Sequence, residues 1–129
     1  MFIQLFWQFL RPRLADNKQL FAFFVYVVMI PKIIHYCWFG ENPIPEHLRQ
    51  YMQTWSAHMP NWEIREWNEQ NYSIEKAPLY VRQAYEAKKF AFVSDYVRLL
   101  VLEKFGGVYL DTDVEVVKSL EPFLKDYLF

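Results

Sequence analysis

Phe105 to Val117 reads FGGVYLDTDVEVV. Gly106 and Gly107 end one element, Val108, Tyr109 and Leu110 form a short apolar run, and Asp111 and Asp113 follow, one residue apart. A glycine break, an apolar run and a carboxylate pair, in that order, describe a buried parallel strand that ends at a ligand site. In open α/β sheets, ligands bind outside the carboxyl ends of the strands. Two hard oxygen donors there suit Mg²⁺ or Mn²⁺, cations usually held by one or two carboxylates together with substrate phosphates. The stretch is therefore read as a metal–diphosphate site. The competing reading is a chance D-x-D in a turn, since Asp is a common turn residue.

The rest of the chain bounds this reading. The 129 residues allow one domain at most. Apolar residues make up 53% and aromatic residues 20%, enough for a sizeable core and too much for a disordered chain. A net charge of −1 argues against a general nucleic-acid binder, which needs a basic surface. The single cysteine, Cys37, excludes an intramolecular disulfide and fits a reducing, cytoplasmic compartment. One Cys and three scattered His offer no zinc pattern.

Residues 1–28 form an atypical N-terminal extension. An apolar start is followed by RPRLADNKQ and then by an unbroken apolar run from Leu20 to Ile30. That run is shorter than the roughly 20 residues needed to span a bilayer. It also lacks the basic start and small-residue cleavage site of a secretory signal. Three readings stand: a contact with the inner face of the membrane, a poor signal-anchor, or an artefact upstream of a start at Met29. The last is preferred, because MIPKIIHYCWFG opens a coherent fold. Residues 29–129 are then the domain.

From Lys32 the pattern alternates strand and helix. Ile33–Phe39 reads as a strand closed by Gly40. Glu46–His58 carries Leu48, Tyr51, Met52 and Trp55 at helical spacing and is stopped by Pro60. Trp62–Trp67 alternates apolar and charged residues as a second strand. Pro78–Lys88 and Phe90–Lys104 read as helices, the latter closed by Gly106. Val108–Leu110 is a third strand and Val114–Val117 a fourth. The alternation predicts an α/β fold with a mostly parallel, Rossmann-like sheet.

The helix before the carboxylates, FAFVSDYVRLLVLEK, is apolar on nearly every side, as in a buried helix. Yet Asp95 and Arg98, three residues apart and so on one face, sit in its middle beside Ser94. One reading is a buried ion pair that only fixes packing, at a desolvation cost. The other, preferred because the chain returns soon after with Asp111 and Asp113, is a polar pocket that binds a hydroxylated ligand. Trp38, at the end of the first strand, can stack on a nucleobase or serve as core. His35 reads as a hydrogen-bonded core residue.

IPKIIHYCWFG, WEIREWNE and AFVSDYVRLLVLEKFGGVYLDTDVEV together resemble the DxD-containing sugar transferases of glycosyltransferase family 32. That family takes in capsular-polysaccharide transferases and yeast-type initiating mannosyltransferases, with the large glucosylating toxins as more distant relatives. The resemblance covers residues 30–127, and its specific signature is S-D-x-x-R followed by GG-x-Y-x-D-x-D. It implies a nucleotide-diphospho-sugar transferase fold and a metal-dependent, retaining transfer of a hexosyl group. The implied donor is a UDP- or GDP-sugar, and the implied acceptor a saccharide or a lipid-linked one. It implies that Trp38 stacks on the base, that Ser94, Asp95 and Arg98 line the donor pocket, and that Tyr109 flanks the nucleotide. Asp111 would touch ribose, sugar and metal-bound water, and Asp113 would coordinate Mn²⁺ or Mg²⁺. Family members run to roughly twice this length, so the chain is expected to be truncated at its C-terminus, with the acceptor half and its catalytic groups absent.

Three alternatives are weighed against this. A haloacid-dehalogenase-like phosphatase also places D-x-D after an apolar strand, but wants Thr or Val four residues after the first Asp, where Glu115 stands. An EF-hand calcium loop wants Gly at its sixth position, where Val116 stands. The third is an inactive remnant with weak nucleotide binding.

Overall fold

A computed structural model of the chain describes residues 30–125, together with Lys18. The expectation for residues 1–28 lies outside the described residues. Pro31–Ser119 forms one compact unit. Within the second unit, Glu121–Lys125 forms a short 3-10 turn. No described helix is long and apolar enough to cross a membrane.

Six elements make up the compact unit: β1 (Ile33–Cys37), α1 (Glu46–His58), β2 (Glu63–Trp67), α2 (Leu79–Glu86), α3 (Phe90–Phe105) and β3 (Val108–Tyr109). The strands form a parallel sheet in the order β2-β1-β3. Ile33 pairs with Glu63 and Cys37 with Trp67 on one side, while Ile34 and His35 pair with Val108 and Tyr109 on the other. This is the expected α/β sheet with helical crossovers. β1 is its centre, and Ile34, His35, Tyr36 and Cys37 are all buried. That explains why β1 reads as a nearly continuous apolar run: a strand covered on both faces has no wet side to alternate with.

The two faces carry different layers. On one, Trp55 of α1 is fully buried and meets Tyr36 edge-on, with ring centroids 5.8 Å apart. Truncating a buried aromatic of this kind costs about 3–5 kcal/mol. On the other, Val93, Val97 and Val101 of α3 pack with Val81 and Ala84 of α2 around Cys37 and Phe39. Pro45 precedes α1 with φ −57°, Glu46 puts a carboxylate in its positive first turn, and Pro60 follows its end. Its bounds are those the sequence predicts.

Two expectations are corrected. α3 does have a wet side. Its buried face is a narrow valine stripe, while Phe92 and Leu99 are 47% and 68% exposed and the Asp95 side chain is 60% exposed. The Asp95–Arg98 pair is therefore not a buried ion pair. At such exposure an i,i+3 pair contributes only about 0.5 kcal/mol. Nor is Val114–Val117 a strand. Its backbone groups are engaged by α1 side chains: Trp55 Nε1 donates to the Val114 carbonyl at 2.7 Å, and the Val116 N–H donates to Thr54 Oγ1 at 2.8 Å. Strand and helix bounds elsewhere shift by a residue or two from the expected ones, as at β1, which stops at Cys37 although the Trp38 N–H still donates to the Trp67 carbonyl at 2.9 Å.

Candidate functional site

The parallel order sets where the site falls. β1 and β3 are neighbours, so the residues that leave their carboxyl ends emerge side by side. Leu110 stays in the ladder through its N–H, which donates to the His35 carbonyl at 3.0 Å, and Asp111 to Asp113 follow at once. Trp38 leaves β1 on the adjacent path. The turn between α3 and β3 that makes this possible depends on Gly107. Its φ is +85°, and a Cβ there would lie 2.6 Å from the Ile33 carbonyl oxygen. His35, fully buried, closes the same corner, with Nε2 2.9 Å from the Gly106 carbonyl. It is the core residue the sequence suggested.

A cavity of about 570 Å³ opens at this end of the sheet. Of the residues singled out from sequence, Trp38, Ser94, Arg98, Tyr109, Asp111 and Asp113 all line it. Asp95 is outside the lining and reaches it through Arg98, whose Nη2 lies 2.9 Å from Asp95 Oδ1 and 3.4 Å from Asp111 Oδ1. The guanidinium also lies over the Tyr109 ring, 4.7 Å from its centroid. Arg98 thus joins helix, strand and carboxylate pair. Its Nε is buried and has no hydrogen-bond partner among the described residues. A buried donor without an acceptor costs about 1–3 kcal/mol.

The two aspartates differ. Asp111 is engaged by Arg98, whereas Asp113 is exposed and has no polar partner among the described residues. The described residues contain no cluster of three or more His, Cys, Asp or Glu able to cage a metal ion. A two-carboxylate set suits a cation that takes its other ligands from phosphate and water. Deeper in the cavity, burial pushes the Cys37 thiol up to about 11, against hydrogen bonds with Tyr109 and Ser94. The Tyr109 hydroxyl is likewise pushed above its ordinary value, mainly by burial. Both stay protonated and neutral at physiological pH, so they can offer hydrogen bonds but not charge.

Sequence reasoning missed Asn42, Phe90 and Thr112, which also line the cavity. Thr112 could have been inferred from its place between the aspartates. Asn42 is brought in by the turn after β1, where its carbonyl accepts the Trp38 indole N–H at 2.6 Å.

Comparison with known proteins gives a consistent picture. The family model described as "glycosyltransferase sugar-binding region containing DXD motif" matches residues 45–129. An uncharacterised glycosyltransferase of Acanthamoeba polyphaga mimivirus is 33% identical over 105 residues, 74% of this chain and 40% of that protein. Inositol phosphoceramide mannosyltransferase 1 of Schizosaccharomyces pombe is 30% identical over 111 residues, 78% of this chain and 33% of the relative. Mannosyl phosphorylinositol ceramide synthase of Saccharomyces cerevisiae is 30% identical over 100 residues, 74% of this chain and 26% of the relative. The chain therefore spans well under half the length of these relatives.

Proposed function

This chain belongs to the family of glycosyltransferase sugar-binding regions containing a DXD motif, and from that membership we propose that it holds the donor side of a transferase that moves a sugar from a nucleoside-diphosphate sugar to a glycan or lipid-linked acceptor. The observation that carries the reading is the Arg98 guanidinium, held between Asp95, Asp111 and the Tyr109 ring in the lining of the cavity that Trp38 and Asp113 share. In this reading the half-buried Trp38 stacks on the base and Tyr109 flanks the nucleotide. Ser94 lines the donor pocket, and Arg98, held by Asp95 from outside the lining, meets the sugar hydroxyls. Asp113 takes a divalent cation, Mn²⁺ or Mg²⁺, with Asp111 helping from beside it. The cation would supply charge neutralisation at the departing diphosphate. The residues of the chain do the rest: they hold the sugar and the nucleotide in one orientation, and Arg98 sets positive charge beside the bond that breaks. Retention of anomeric configuration enters this reading from the family resemblance alone. The names of the fungal relatives point to a mannosyl group and an inositol phosphoceramide-type lipid acceptor. Such an acceptor would place the reaction at a membrane surface.

Carboxylate ligation shared with phosphate oxygens makes metal and nucleotide binding mutually dependent. Calorimetric titration with GDP-mannose and a panel of UDP- and GDP-sugars, with Mn²⁺ and with chelator, tests the reading. Binding should need the metal, and Asp113→Asn should abolish it while the circular dichroism spectrum stays unchanged. Chelator-insensitive binding would overturn the metal role. No binding of any nucleotide would leave an inactive remnant as the better description.

A further inference from the structure

The turn that carries Trp38 is conformationally costly. Gly40 has φ +101° and Glu41, a non-glycine residue, has φ +59°. Gly40 takes its φ freely, but a side chain held at Glu41's φ costs on the order of 1 kcal/mol or more, so the turn gains from outside support. Within the turn, the Trp38 indole N–H donates to the Asn42 carbonyl. The Gly40 N–H donates outward, to Glu69 Oε1 at 2.5 Å, a short contact to a charged acceptor.

Glu69 is itself held firmly. It lies in the turn after β2, which is stapled by its own side chains. The Asn68 N–H donates to Asn71 Oδ1 at 2.9 Å, the Gln70 N–H to Asn68 Oδ1 at 2.9 Å, and Asn71 Nδ2 to the Glu66 carbonyl at 2.7 Å. From α2, the Tyr85 hydroxyl donates to the same Glu69 oxygen at 2.9 Å. Tyr85 packs edge-on against Phe90, with centroids 5.4 Å apart, and a Cβ at Gly40 would lie 2.4 Å from the Phe90 ring. The contacts close a circuit through Glu69, Gly40, Phe90 and Tyr85. Glu69 is outside the lining of the cavity that Trp38 faces.

We infer that Glu69 is a positioning residue for donor binding: its carboxylate locks the Gly40 turn and thereby fixes the indole of Trp38 where a nucleobase would stack. The inference rests on the donor-site reading above. It gives Glu69 an effect on the base half of a ligand and none on the phosphate half.

The test uses the full chain with Mn²⁺ and three probes: GDP, UDP and inorganic pyrophosphate. Glu69→Ala should weaken the nucleoside diphosphates by about tenfold, the scale of losing one base–aromatic stack. Pyrophosphate binding should stay unchanged. Glu69→Gln keeps an acceptor for the Gly40 N–H and should restore most of the affinity. Adding Trp38→Ala to Glu69→Ala should cost little more, because both act through one ring. Equal losses for nucleoside diphosphate and pyrophosphate, or no loss at all, would overturn the assignment. A readout without ligand keeps it separate from the donor-site reading. Amide exchange in a peptide spanning residues 38–42 should accelerate in Glu69→Ala but not in Glu69→Gln. Unchanged exchange refutes the anchor even if no nucleotide binds, whereas accelerated exchange with no nucleotide binding by the unsubstituted chain refutes only the donor site.

Discussion

Trp67 Nε1 lies 3.1 Å from His35 Nδ1, and that contact decides the protonation of a buried histidine. An indole nitrogen can only donate, so Nδ1 is the acceptor. The single proton of the neutral ring therefore sits on Nε2, which donates to the Gly106 carbonyl at 2.9 Å. One side chain of β1 thus fastens both neighbours: the end of β2 through Trp67 and the glycine corner that leads to the aspartates.

A pH dependence follows. Burial holds the His35 pKa below its ordinary 6.5; the Gly106 hydrogen bond opposes this, as does Glu63, while Arg65 on the same strand reinforces it. The unfolded chain therefore takes up a proton near pH 6.5 that the folded chain resists, and stability is lost as pH falls through and below that value. Above it the contribution is fully present. One proton allows a slope of at most about 1.4 kcal/mol per pH unit. Urea midpoints measured from pH 8 to pH 5 should fall more steeply for the natural chain than for His35→Gln. Parallel slopes would show that His35 does not titrate between the two states.

Gly107→Ala should destabilise the chain by about 2 kcal/mol or more, since it combines a positive φ with a carbonyl contact. Gly106→Ala should also be costly: φ +65° with ψ −151° is a conformation essentially reserved for glycine, and a Cβ there would meet a Pro31 ring carbon at 3.0 Å. Chemical denaturation of the two variants checks this, and a loss below about 0.5 kcal/mol in either would mean that the corner relaxes at that glycine.

Arg98→Lys keeps the charge but removes the planar guanidinium that lies over Tyr109 and whose Nη2 meets both Asp95 and Asp111. A sugar nucleotide should lose about tenfold in affinity, with a smaller loss for the bare nucleoside diphosphate. Paired titrations settle the point: equal losses would assign Arg98 to the phosphates or to packing.

Much of this was readable in the chain, for reasons that are local. Prolines frame α1, a glycine pair frames β3, and the order of strand and helix forces a parallel sheet that brings Trp38 and Asp111 to adjacent strand ends. The rest depends on partners far away in sequence. The apolar composition of α3 hides Phe92 and Leu99, which no other element covers within residues 31–119. Val114 to Val117 has the look of a strand, but Thr54 and Trp55 take its backbone groups from about sixty residues away. Glu69 is one polar residue among several in its turn, and only the fold shows that its carboxylate reaches Gly40.

The segment bearing the aspartates is tied down at both ends. Leu110 is bonded to β1, Val114 and Val116 to α1, and the Val114 N–H donates back to the Asp111 carbonyl at 3.0 Å. There is no slack between these anchors. An inserted or deleted residue would have to break one of them or swing a carboxylate out of the cavity. Natural variation and protein engineering can therefore retune this segment by exchanging side chains, while changes of length belong elsewhere on the surface.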